Sequence, residues 1–416
     1  MSLEKKRIVQ INTVYGTGST GKITASLYRS AKNESYETYV AYGRGNTPKK
    51  NNINGMRIGN KIDFLSHVMS NFFKGNSGFA SKKVTTKFLN WLDEIHPDLI
   101  HIHNLHGFYI NVEMLFNYVK ENNIPVIWTL HDCWSFTGQC AYFDCANCYK
   151  WKTGCYDCPI YKSDYPYSVF KDNSKENYIA KRNIFKNVEN LIIVTPSVWL
   201  ENLVRLSFLR DYPTMTITNG INLDIFKPYD NAKELMLKYH QYDLDGKKVL
   251  LGVANVWIEQ KGYKYMLELS KYFNKDNGYL IVLIGVSKKQ QRYINSKYGD
   301  ILAITRTNNQ VELAMWYSVA HVYLNPTLQD NYPTTNLEAQ ACGTPVVTFD
   351  TGGSPETLVV KTLPNKVVSK GDIIAMVDAI KNIEDYSNVA DGDLTLLRNE
   401  VFTEKYMNLY TEALSS

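Results

Sequence analysis

Asn325 to Glu356 reads NPTLQDNYPTTNLEAQACGTPVVTFDTGGSPE. Two carboxylates, Asp330 and Glu338, stand there with seven residues between them. A helical pattern stops at Gly343, and a Gly352-Gly353 pair and Glu356 follow. Ionised carboxylates accept charge-assisted hydrogen bonds, which suits a ligand rich in hydroxyl groups. Thr335-x-x-Glu338 also has capping-box spacing, a purely structural alternative for Glu338.

A second stretch, YGTGSTGKIT from Tyr15 to Thr24, nearly spells a phosphate-binding P-loop. The residue after the lysine should carry a hydroxyl for Mg²⁺, but it is Ile23. Thr24 lies one residue on, about 100° round a helix, and would face away from a metal. What remains is a strand, a Gly-rich turn and a helix whose first amides suit an anion. A tight turn with Gly at positive φ is the plain alternative.

The third stretch is CWSFTGQCAYFDCANCYKWKTGCYDCP, which holds six of the seven cysteines, Cys133, Cys140, Cys145, Cys148, Cys155 and Cys158. Its core is C-x2-C, six residues, C-x2-C, and each pair can pinch one ion. The reading is a structural zinc, with disulfides or free thiols as alternatives; a reducing cytosol disfavours disulfides.

These residues need elements to hold them. A chain of 416 residues exceeds one typical core, so two domains are expected. The first half alternates short apolar runs (RIVQINTV, ETYVAYG, DLIHIHN, PVIWTLHD, LIIVTPS) with helical patterns such as VTTKFLNWLDEI and VEMLFNYVKENN. The second half repeats the scheme with KVLLGVAN, YLIVLIGV, ILAITRT, HVYLNPT and TPVVTFD. Such alternation predicts parallel sheets with helices on both faces. The expected division is residues 1–220, 221–399 and a last helix, 400–416, that crosses back onto the first domain. The turn at Asn219-Gly220 and Pro228 mark the join. Ligands bind outside the C-terminal ends of strands in such sheets. Gly18, Ser19, His103, Asn104, His131, Asp132, Asn255, Lys261 and Asp330 all fall there, which implies a cleft between facing strand ends.

No run approaches the ~18 apolar residues of a membrane span. The start, MSLEKKR, has no apolar stretch fit for a secretory signal, so a cytoplasmic location is expected. Residues 1–190 carry 24 basic against 16 acidic side chains, and the remainder 22 against 25. A basic first half suits an anionic surface or substrate, or is simply solvated. No dense Lys/Arg block and no nucleic-acid motif is present.

The Asp330–Glu356 stretch closely resembles the donor-sugar motif of retaining GT4-family glycosyltransferases (group 1, GT-B fold), of the kind that build bacterial surface polysaccharides. LLGVANVWIEQKGYKYMLEL resembles the opening of the family's donor domain, and the likeness extends over TPSVWL, NGINLDIFKP and nearly the whole chain. The resemblance implies two Rossmann-like α/β domains facing across a cleft. It also implies a nucleotide-diphosphate sugar donor, an acceptor that is lipid-linked or an oligosaccharide, and no catalytic metal. Peripheral contact with an anionic inner membrane is a further expectation.

By the same resemblance Glu338 bonds the ribose hydroxyls, and Asp330, Asn331, Thr334 and Thr335 lie against the donor. The family's usual first acid is Glu, which Asp330 shortens. Lys261 would bind the diphosphate and stabilise its charge as the glycosidic bond breaks. Asn255 occupies the usual Arg position, a departure from the pattern. Gly18-Ser19 occupies the Gly-Gly position that offers amides to the diphosphate, which leaves Lys22 as a solvated helix residue. His131 matches the active-site histidine, with His103, Asn104 and His106 on the acceptor side. Base contacts would come from backbone near Gly285 and Thr305-Arg306. In some surface-polysaccharide transferases HDxWxFTGxC precedes KWxxGCxxCP, a pattern that favours Cys140, Cys148, Cys155 and Cys158 as zinc ligands, with Cys145 as the alternative. Two rival functions stay open: a GT-B-fold sugar-nucleotide epimerase, and a non-catalytic zinc-knuckle protein on a transferase scaffold.

Overall fold

The computed structural model describes residues 5–34, 36–45, 53–383 and 391–415. The first four residues of the MSLEKKR start lie outside them. The chain forms two units: residues 1–218 with 403–416, and residues 219–402.

The first unit is a seven-stranded parallel sheet. Its strands are β1 (Arg7–Val14), β2 (Glu37–Arg44), β3 (Gly55–Arg57), β4 (Leu99–Ile102), β5 (Val126–Thr129), β6 (Leu191–Thr195) and β7 (Thr214–Thr216), in the order β3-β2-β1-β4-β5-β6-β7. The second unit has six parallel strands: β8 (Lys248–Val253), β9 (Tyr279–Ile284), β10 (Ile301–Ile304), β11 (Ala320–Asn325), β12 (Val346–Phe349) and β13 (Lys366–Val368), in the order β10-β9-β8-β11-β12-β13. Both sheets follow the doubly wound Rossmann order, in which sequence direction reverses beside the first strand. The reversal falls between β1 and β4 in one unit and between β8 and β11 in the other.

Burial explains the runs. Every residue of β4, β5 and β12 is buried, as a parallel sheet covered on both faces requires. The strands β3, β7 and β13 did not stand out in sequence. Each has three residues at a sheet edge and is half exposed, too short to show a period. The last helix, Asn399–Ser415, packs in the first unit from Thr403 onward. Its Tyr406 and Tyr410 are fully buried there. Among the described residues no helix is long and apolar enough to cross a membrane.

Candidate functional site

In the second unit the loops after β8 and β11 are stitched together. The Gln260 carbonyl accepts from the Leu328 N–H at 2.8 Å and from the Thr327 hydroxyl at 3.2 Å. Gly262, at φ +77°, lies so close to the Pro326 carbonyl that a Cβ would sit 2.1 Å from its oxygen. Only glycine fits that approach. The stitch brings Lys261 onto Asp330, Nζ to Oδ2 at 2.6 Å. Both are partly open to solvent, with 37% and 19% of their side chains exposed.

The loop after β12 closes on the same acid. Gly352, at φ +56°, would put a Cβ 1.9 Å from the Asp330 carbonyl oxygen, and the Gly353 N–H donates to that oxygen at 3.4 Å. Asp330 Oδ1 accepts from the N–H of Asn331, which is buried. Gln329 Oε1, Thr351 Oγ1 and Ser354 Oγ are buried in these two loops without a hydrogen-bond partner. A buried polar atom left unpaired costs about 1–3 kcal/mol, a cost that polar contacts from a ligand at these adjacent loops would relieve.

The helix Thr334–Ala341 carries Glu338. Its N-cap is Pro333 and no side chain caps it, so the capping-box account of Glu338 fails. Glu338 is 9% exposed and accepts from the Tyr317 hydroxyl at 3.1 Å. Burial, and then the Glu338 charge, push the Tyr317 phenol well up, so it stays a donor. Thr334 and Thr335 occupy the first helical turn, half buried, and the Thr335 side chain bonds the Tyr323 hydroxyl. A buried amide chain holds the helix: Asn325 donates to Asn336 at 2.8 Å, and Asn336 to Thr357 at 2.7 Å. Asn325 and Asn336 gave no sequence signal beyond polar residues near apolar ones. Asn255 is exposed after β8, Gly285 follows β9, and Thr305-Arg306 follows β10.

In the first unit the residues after β4 and β5 meet. His103 Nδ1 and His131 Nε2 lie 3.2 Å apart with their rings stacked. His106 Nε2 bonds Asp132 Oδ2 at 2.6 Å, and its Nδ1 lies 3.3 Å from the Tyr165 hydroxyl. His103, Asn104, His106, His131 and Asp132 line one open pocket. Behind them, His101 bonds the Tyr410 hydroxyl at 2.6 Å and Thr129 at 2.8 Å, and Thr129 meets Tyr406 at 2.9 Å. The last helix therefore braces the histidine row from below.

Burial pushes the His131 imidazole down to about 4, with His106 adding to the effect and Asp132 opposing it. Burial lowers His101 to about 3 and places His103 well below its usual value. The stacked imidazoles are thus neutral at pH 7. Burial would raise the Asp132 carboxyl, but His106 and the Trp134 N–H outweigh it and hold the group down. Sequence reasoning placed Asp132 at a strand end without its role as partner of His106, and it missed His101 as the brace. The adjacent HD pair at a strand end was the available signal for Asp132.

The helix after β1 starts at Gly18, so Gly18 and Ser19 are its first two residues, both exposed. Lys22 is exposed too. Thr24 Oγ1 is consumed inside the fold, accepting from Asn12 at 2.8 Å and donating to the Thr20 carbonyl at 2.9 Å. The Thr24 hydroxyl is therefore not available to a P-loop metal.

Cys140, Cys148, Cys155 and Cys158 line a single cavity, whereas Cys145 is exposed outside its lining. None of the seven cysteines is in a disulfide. Among the described residues, no group of three or more His, Cys, Asp or Glu side chains is placed so that it could hold a metal ion.

Residues 247–385 match the family model described as Glycosyl transferases group 1. WcaC of Escherichia coli (strain K12), named for glycosyl transfer in colanic acid biosynthesis, is 23% identical over 394 residues, covering 90% of each chain. Sucrose-phosphate synthase from Thermosynechococcus elongatus superposes with a TM-score of 0.70 at 15% identity, over 99% of this chain and all of that one. Anabaena HepE, solved in complex with UDP and glucose, gives 0.66 at 14% identity, over 98% of this chain and all of its own. Two Rossmann-like sheets of GT-B type, the match over the second of them and the likeness to WcaC over 90% of the chain together support a GT4-like group 1 glycosyltransferase.

Proposed function

We propose that the protein moves a sugar from a nucleotide-diphosphate sugar to an acceptor hydroxyl in surface-polysaccharide synthesis, with retention of anomeric configuration. The observation that carries this reading is the Lys261–Asp330 pair, held at 2.6 Å where the sheet order reverses. A cation and a carboxylate poised together match the two needs of such a donor. Lys261 turns to the diphosphate, and Asp330, released from it, accepts from sugar hydroxyls. Glu338 accepts from the ribose, with Tyr317 holding its other side. Asn331, Thr334 and Thr335 line the same donor, and the orphaned Gln329, Thr351 and Ser354 atoms gain partners from it. Asn255 leaves the β8 loop without the usual guanidinium, so Lys261 carries more of the phosphate charge.

In the reaction the bond from sugar C1 to the phosphate oxygen breaks, and its electron pair stays on the diphosphate. The acceptor oxygen bonds C1 on the same face through an oxocarbenium-like transition state. The acceptor proton passes to the departing phosphate oxygen. Lys261 meets the growing negative charge, and the Gly18 and Ser19 amides add to it. His131, kept neutral by burial, contacts the transferred sugar without adding charge. His103, Asn104 and His106 order the acceptor, and Asp132 fixes the His106 ring. No step requires a metal.

The acceptor is lipid-linked or an oligosaccharide on the cytoplasmic side. The helix Lys61–Lys74 supports work at an anionic membrane surface. Its exposed stripe of Ile62, Leu65, Met69 and Phe73 continues onto Phe170, stacked on Phe73, between Lys61 and Lys74.

The test is a panel of nucleotide-diphosphate sugars with and without polyprenyl-diphosphate-linked sugars. Nucleotide release that depends on the acceptor supports transfer. Isomerised sugar without transfer would instead favour an epimerase, and no turnover at all a binding protein.

A further inference from the structure

The segment from Cys133 to Asn173 contains no helix or strand beyond two 3₁₀ turns, Asp144–Ala146 and Lys150–Lys152. Trp134, Phe136, Phe143 and Trp151 are nevertheless fully buried in it. A stretch this irregular needs more than backbone ladders to keep one conformation.

Four of its cysteines line one cavity: Cys140, Cys148, Cys155 and Cys158. Two backbone groups already point at sulphur. The Gly138 N–H donates to Cys155 Sγ at 3.1 Å, and the Ile160 N–H bonds Cys158. Such N–H···S bonds favour thiolates over thiols and are typical outer partners of metal-bound sulphur.

A buried cation lies beside them. Lys181 is fully buried, its ammonium bonded to the Trp134 carbonyl at 2.7 Å and the Thr137 carbonyl at 3.1 Å, and 3.4 Å over the Trp134 ring. Its charge acts on Cys155 and Cys140, and on Asp132, which is already bonded to His106. Among the described residues no carboxylate forms an ion pair with it. Burial pushes this ammonium down to about 7, while Cys155, Cys140 and Asp132 hold it up. Four neutral thiols add no negative charge beside it, whereas four thiolates around a divalent ion carry a net charge of −2.

We propose that Cys140, Cys148, Cys155 and Cys158 are the ligands of a metal centre held by four thiolates, with Lys181 as its buried counter-charge. The shared chemistry is tetrathiolate coordination, by one Zn²⁺ or by an iron–sulphur cluster. Coordination requires the sulphurs to close inward from their present positions, since no three are now placed so that they could hold a metal ion. Each thiol gives its proton to solvent as its sulphur binds, so loading one Zn²⁺ releases up to about four protons per site. Cys145, exposed, and Cys133, buried away from the cavity, take no part.

The experiment is elemental analysis of the full chain purified without oxygen, joined to thiol titration and an absorption spectrum. About one zinc per chain, colourless and released in step with about four thiols by a mercurial, supports the zinc form. About four irons per chain with a visible charge-transfer absorption supports the cluster form. Cys155→Ala with Cys158→Ala should lose the metal, and Cys145→Ser should keep it. Should the double variant fail to fold, the mercurial titration of the unaltered chain still decides. A chain with neither metal, no uptake of added Zn²⁺ and seven titratable thiols would overturn the proposal, as would metal retained by a folded double variant. Metal content is read apart from turnover, so a metal-free active transferase and a metal-bound inactive chain are distinct outcomes.

Discussion

Replacing Lys261 by alanine should separate two roles for one ammonium. In the free protein Lys261 is paired with Asp330 at 2.6 Å, but 37% of its side chain is exposed. Solvent screens such a pair, which contributes only about 0.2–1 kcal/mol to folding. For a unit the size of residues 219–402, that shifts the melting temperature by at most about 4 °C. In the transition state the same ammonium faces charge growing on a departing diphosphate. Loss of a preorganised partner there costs about 2.7–4 kcal/mol, roughly 100- to 1,000-fold in kcat. Donor affinity should fall less, because the charge is smaller before the bond breaks. The assay is nucleotide release at saturating donor, beside donor KM and a thermal melt. An unchanged kcat would refute the reasoning. So would a collapse in melting temperature large enough to explain the loss by unfolding.

Glu338→Ala should weaken nucleotide binding by about 1.5–3 kcal/mol, the size of a charge-assisted bond, and calorimetry showing equal affinity would remove the ribose role. Lys22→Ala should keep most activity, whereas Ser19→Trp should lose it, because bulk at the helix start blocks backbone from phosphate; the reverse order in a turnover assay would point back to a P-loop. Acid should destabilise the first unit early. His131 and His67 titrate near 4 in the folded state against an ordinary 6.5, because burial disfavours their charge. The unfolded chain therefore binds more protons between these values, and stability that is complete above pH 6.5 falls as pH drops toward 4, by up to about 1.4 kcal/mol per pH unit for each histidine. A melting temperature constant from pH 7 to pH 5 would contradict that.

The strands were legible because both faces of these sheets are buried, which turns each into an apolar run ending in a polar residue. RIVQINTV matches β1 residue for residue. The edge strands β3, β7 and β13 were not legible, since three half-exposed residues carry no pattern. Asp330 and Glu338 could be read together because one loop and one helix hold both. The bond between Lys261 and Asp330 spans 69 positions, and that between His101 and Tyr410 spans 309. Neither has a local signature, because the sheet order decides which strand ends meet. Cys140, Cys148, Cys155 and Cys158 were singled out in sequence, and they line one cavity. Lys181 was not, since a lysine in a helical pattern looks like any solvated one until its burial is seen.

The most direct test of transfer with retention is the anomeric configuration of the product formed from a donor labelled with ¹³C at C1. With an accepted nucleotide-diphosphate sugar and acceptor, the account predicts a new glycosidic linkage of the same configuration as the donor, read from the C1–H1 coupling. An inverted linkage would contradict retention, and label recovered only in an isomerised sugar would contradict transfer itself.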